Sequence, residues 1–111
     1  MKTTSPHCVR LLATTVLVLG MSATAHAQDK ATQLHNRATA AMCANCHGTD
    51  GRTTEDSAIP SLVGMPKDYM VLQLKAFKDG TRPATVMHQI TKGLTDAQID
   101  TISSYYAATK R

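Results

Sequence analysis

Large rings are almost missing from this sequence: its 111 residues hold no Trp, one Phe and three Tyr. A chain this short lies near the lower limit for burying a self-sufficient core, and here the core is also short of bulky side chains. Something besides side-chain packing has to help hold it together. Cysteine is nearly as scarce, with three in all. A disulfide between the two closest would shut so small a loop that it adds little, because loop-closure gains grow with loop length. No run of three or more consecutive Lys or Arg occurs, and aromatics are not interleaved with basic residues, which argues against a nucleic-acid partner. The apolar run from Leu11 to Gly20 is shorter than the ~20 residues a permanent membrane span needs.

That run instead reads as part of an export signal. Lys2 and Arg10 make a basic start, and small residues lead to Ala25-His26-Ala27, an A-x-A cleavage site. Residues 1–27 are therefore expected to be removed, leaving a mature periplasmic domain, 28–111, with no permanent membrane span. Cys8 leaves with the leader, so Cys43 and Cys46 stand alone. The leader carries two of the twelve bases and none of the eight acids, so the net charge falls from +4 to +2.

What remains turns on Met42-Cys43-Ala44-Asn45-Cys46-His47-Gly48. Two thiols three positions apart, followed at once by a histidine, suit three chemistries. A thioredoxin-like pair needs a helix N-terminus in a βαβ frame, yet residues 31–42 are Ala-rich and helix-forming with no strand before them. A zinc site needs about four ligands. There is no second C-x-x-C, and adjacent Cys46 and His47 point in different directions. Covalent haem fits every feature: the thiols reach two vinyl groups on one porphyrin edge, and His47 turns under the ring to bind iron. C-x-x-C-H is the attachment signal for haem c, a cofactor large and apolar enough to supply the missing core.

Three helices can be read. The first spans about 31–44, with Leu34, Ala38, Ala41 and Met42 as its apolar stripe. The second starts near Pro66, carries Met70, Leu74 and Phe77, widened by Val71 and Leu72, and stops at Gly80. The third opens with the capping box Thr95-Asp96-Ala97-Gln98 and continues through Ile99, Ile102, Tyr105 and Tyr106. No strand is expected. The fold class is all-α, with helices and loops wrapped around one covalently attached haem.

The iron also needs a distal ligand. Met42 adjoins an attachment cysteine and Met70 lies on a core stripe, whereas Met65 sits in a turn and stays possible. Met87 lies in the loop-like segment 80–87, forty residues beyond His47, with chain enough to return on the far side of the ring. It is the expected ligand, and neighbouring His88 is its rival. A ligating histidine usually donates its other ring nitrogen to a carbonyl or carboxylate, and the candidate acceptor is the carbonyl of Pro60.

On these residues, together with Ile59-Pro60-Ser61-Leu62-Val63-Gly64 and the capped last helix, the chain resembles a class I cytochrome c. The run Tyr69 to Met87 is similar to the haem subunit of flavocytochrome c sulfide dehydrogenase and to single domains of cytochrome c4. The resemblance implies that Met87 is the distal ligand, that Pro60 accepts from His47, and that the first and last helices cross near the attachment site, bringing Leu34, Ala38, Ile102 and Tyr105 together. It also implies electron transfer, with no catalysis by this chain alone. An FAD-containing sulfide dehydrogenase subunit is the most specific redox partner it suggests. A free shuttle cytochrome and a haem enzyme with an open sixth site are the alternatives. Lys75, Lys78, Arg82 and Lys92 are candidates for a docking ring around the haem edge.

Overall fold

The structure, a computed structural model, describes residues 26–111. It forms two units, 1–34 and 35–111, and the described part of the first, 26–34, is helical. The expected leader lies outside the described residues except for its last two positions. Within the second unit, helix α1 covers 35–40. A 3-10 turn at Ala41–Cys43 leads into α2, Ala44–His47. After a second 3-10 turn at Thr49–Gly51 and a loop come α3, Lys67–Lys78, α4, Met87–Lys92, and α5, Asp96–Ala108. No strand occurs among the described residues.

Local sequence accounts for the longer helices. Helix α5 starts on a complete capping box: the Gln98 backbone N–H donates to Thr95 Oγ1 at 3.2 Å, and the Thr95 N–H to Gln98 Oε1 at 2.9 Å. Two of the orphan donors of its first turn are thus satisfied. Helix α3 has Asp68 in its first turn and buries Met70 and Leu74, one turn apart. It packs against both α4 and α5. The core is small, as composition requires: Ala40, Met70, Leu74, Leu94, Ile99, Ile102 and Tyr106. Tyr106 is its one large ring, and its hydroxyl donates to the Ala40 carbonyl at 2.8 Å.

Two expectations need correction. The first helix does not bury the stripe Leu34, Ala38, Ala41 and Met42: all four are exposed, Leu34 by 70% and Met42 by 47%. Its buried residue is Ala40, at 0% exposure, whose carbonyl accepts from the Tyr106 hydroxyl. Nor is that helix continuous to residue 44, since the 3-10 turn at Ala41–Cys43 resets its phase before the second cysteine. The segment ending at Met87 also differs: Met87 is the first residue of α4. Val86 provides no side-chain cap. The helix is short and rests on packing against α3 and on Thr91 Oγ1, which donates back to the Met87 carbonyl at 2.8 Å.

Lys75 and Lys78, two of the docking-ring candidates, are paired across the helices. Both reach Asp96 on α5, at 3.7 and 3.2 Å, and Lys78 also donates to the Leu94 carbonyl at 2.7 Å. The hydrogen bond from Lys78 and the charge of Lys75 hold the Asp96 carboxyl below its ordinary range.

Candidate functional site

The 3-10 turn ending at Cys43 and the single turn of α2 set Cys43, Cys46 and His47 in the lining of a cleft of about 460 Å³. The volume lies within the ~300–1,000 Å³ common for ligand sites. Further lining comes from α3 and the chain that follows it, through Tyr69, Met70, Gln73, Leu74, Phe77, Arg82 and Met87. Ile59, Pro60, Leu62 and Met65 complete the wall. Most of this lining is apolar, and no carboxylate is part of it.

His47 is buried, and its Nδ1 lies 2.7 Å from the Pro60 carbonyl oxygen. A carbonyl can only accept, so Nδ1 carries the proton and Nε2 is left with a free lone pair. The carbonyl is brought there by Gly51, whose own carbonyl accepts from Leu62 N–H at 2.8 Å and from Ser61 Oγ at 2.8 Å. Two loops are thereby clamped together just behind the histidine. Gly51 sits at φ 76°, and an added Cβ would come within 2.8 Å of the Tyr106 ring. The clamp is thus seated directly on the one large ring of the core.

Cys43 and Cys46 are free thiols, the first half-buried and the second exposed. Burial pushes the Cys43 thiol above its ordinary range, against a hydrogen bond with Tyr106 that pulls it down. Burial likewise pushes the Tyr106 phenol well up.

Met87 and Met65 both line the cleft, whereas His88 does not. The His88 Nδ1 is buried without a partner, and its Nε2 lies 3.1 Å from Gln89 Nε2. Tyr69 and Gln73 are lining residues that sequence reasoning missed, and the i, i+4, i+8 series Tyr69, Gln73 and Phe77 is the signal that could have found them.

The donor set fits haem and little else. Among the described residues, no three His, Cys, Asp or Glu side chains converge to hold an ion by themselves. A porphyrin brings four equatorial nitrogens of its own, so its iron asks the protein for two axial donors at most. One imidazole, methionine thioethers, two thiols and an apolar lining in the same cleft match that demand.

Comparison with known proteins agrees. Residues 36–110 match the family described as Cytochrome c. Cytochrome c4 of Pseudomonas aeruginosa is 34% identical over 101 residues, covering 91% of this chain and 49% of its own length. The cytochrome subunit of sulfide dehydrogenase from Chlorobaculum tepidum is 44% identical over 64 residues, covering 58% of this chain and 56% of its own. The thiosulfate dehydrogenase electron acceptor of Thiomonas intermedia is 38% identical over 71 residues, covering 64% and 33%. Among solved structures, cytochrome c4 of Acidithiobacillus ferrooxidans superposes with a TM-score of 0.56 at 38% identity, over 60% of this chain and 37% of that one. The chain spans about half or less of the length of these relatives. No helix among the described residues is long and apolar enough to cross a membrane. With a family match over more than half its length, the chain belongs to the cytochrome c family, whose covalently bound haem c its C-x-x-C-H cleft fits.

Proposed function

We propose that Cys43 and Cys46 hold the haem through thioether bonds, that His47 Nε2 and Met87 Sδ are its axial ligands, and that the mature domain, 28–111, works in the periplasm after cleavage behind Ala27. The observation that carries this reading is the convergence of all four side chains on one apolar cleft, with the His47 ring locked by the Pro60 carbonyl. Bound haem supplies a one-electron iron couple. The chain does the rest. The Pro60 carbonyl fixes the tautomer and tilt of His47 and makes its Nε2 a better donor. A methionine opposite favours the ferrous state and raises the potential relative to a second histidine. Met65, Met70, Leu74 and Phe77 line the cleft with apolar surface that excludes water.

The electron source in this reading is an FAD-containing dehydrogenase that oxidises sulfide, with this chain as its haem subunit or acceptor. The sulfide dehydrogenase subunit and the thiosulfate dehydrogenase acceptor among its relatives support a sulfur-compound donor. The exposed edge bearing Cys46 is the route for electrons in and out. Gentle affinity purification of the tagged, haem-loaded protein from the periplasm tests the assignment. A stoichiometric flavoprotein that speeds haem reduction by sulfide is the expected result. A clean c-type spectrum with no flavin and no acceleration would leave a free shuttle cytochrome instead.

A further inference from the structure

Met87, the distal ligand in the reading above, is the first residue of a helix only six residues long. The chain leading to it gives little support. Of the four residues before it, Pro83, Thr85 and Val86 are exposed, and Val86 supplies no side-chain cap. The far end of α4 is held on several sides. The Gly93 N–H donates to the Ile90 carbonyl at 3.2 Å, and the Leu94 N–H to the Thr91 carbonyl at 3.1 Å. Leu94 belongs to the buried core, its own carbonyl accepts from Lys78 of α3 at 2.7 Å, and Thr95 beyond it caps α5. The helix is thus anchored at one end and carries Met87 at the other.

Thr91 connects the two ends. It is fully buried, at 0% exposure, yet it is not one of the residues lining the cleft. Its Oγ1 donates to the Met87 carbonyl at 2.8 Å and lies 3.5 Å from that of His88. Valine has nearly the same shape, and packing alone would favour it here, because a buried hydroxyl costs free energy unless it is bonded. The branched Cβ leaves threonine few χ1 states in a helix, among them the one that aims the hydroxyl at the carbonyl one turn back.

We propose that Thr91 is the positioning residue for the distal ligand: its hydroxyl ties the Met87 backbone to the anchored end of α4 and keeps the thioether presented to the cleft. The inference rests on the assignment of Met87 above. Thr91 stands outside the lining, so it acts through the Met87 main chain and not by touching what the cleft holds. A methionine without this tie leaves its place more often, and an outside ligand that needs the vacated place then binds with a higher apparent affinity.

Imidazole titration of the purified, haem-loaded ferric protein tests it, with thermal unfolding measured in parallel. Thr91→Val keeps the shape and loses the hydroxyl, and should raise the apparent imidazole affinity about threefold to about tenfold, as the loss of one hydrogen bond would. Thr91→Ser keeps the hydroxyl and should stay close to the wild type. On a Met87→Ala background, Thr91→Val should change nothing, because no methionine is left to hold. An unchanged affinity in Thr91→Val, whatever its melting temperature, would overturn the positioning role. So would an equal rise in Thr91→Ser, or the same rise on the Met87→Ala background. If Met87→Ala alone left the imidazole affinity at its wild-type value, the ligand assignment itself would fail, and this inference with it.

Discussion

Replacing Cys43 and Cys46 together by serine leaves the exported protein with no covalently held haem and little fixed helix. Each thiol can join one vinyl carbon, so a single replacement keeps one thioether and the double replacement keeps none. The second half of the result follows from the size of the core. Seven residues make up the buried apolar cluster, and three of them (Met70, Leu74 and Ile102) also face the cleft. With nothing to fill 460 Å³ of largely apolar space, the loss at ~24 cal/mol per Å³ comes to ~11 kcal/mol. The cleft is open to solvent, which makes that an upper bound. Even half of it rivals the ~5–15 kcal/mol that separates folded from unfolded domains. Acid–organic extraction should therefore remove all haem colour from the double variant and none from the wild type. Far-ultraviolet circular dichroism of the double variant should lose most of its helical signal. A double variant that stayed fully helical would show that α3, α4 and α5 form a self-sufficient core.

The second large effect falls on a residue with no side chain. Gly48 closes α2, its N–H donating to the Ala44 carbonyl at 3.0 Å, with φ 78° and ψ 164°. That conformation is essentially confined to glycine. A Cβ placed there would lie 1.9 Å from the Arg52 carbonyl oxygen and 2.7 Å from its carbon. Because the obstacle is backbone, no rotamer change relieves it. Gly48→Ala must move the 48–52 turn, and with it Gly51, whose carbonyl holds Ser61 and Leu62 and so carries Pro60 to His47. The expected loss is about 3 kcal/mol or more, combining ~1–3 kcal/mol of backbone strain with the displaced contacts. For a domain of this size each kcal/mol is ~4–8 °C of melting temperature. Gly80→Ala is the control: its φ is 77°, but nothing lies within 4 Å of an added Cβ. It should cost only ~1–2 kcal/mol for the left-handed backbone. Equal losses at the two positions would contradict the steric account of Gly48.

Residues whose chemistry is carried by local spacing were the ones legible in the sequence. The C-x-x-C-H cluster, the Thr95–Gln98 box and the Gly80 stop each act within four positions of chain, and the all-α class and the cytochrome family followed from them. The first helix was misread because it is rich in alanine. Periodicity cannot tell which methyl lies inward when the deciding contact is the Tyr106 hydroxyl, sixty-six residues away. Helix α4 was invisible for a related reason: six residues without a side-chain cap carry no start signal, and packing against α3 holds them. Lys75 and Lys78 looked free until α5 placed Asp96 beside them. Arg82, a docking-ring candidate by sequence, is a cleft-lining residue because the chain doubles back over Phe77, which nothing in its neighbours signals.

The central claim, a haem held between His47 and Met87, is tested most directly by proton NMR of the ferrous, haem-loaded protein. A methionine methyl bound to the iron sits over the porphyrin face, where the ring current moves it far upfield of all other methyl protons. The account predicts one such three-proton resonance, assigned to Met87 and missing from Met87→Ala. Its absence from the wild type, or its assignment to Met65, would contradict the account.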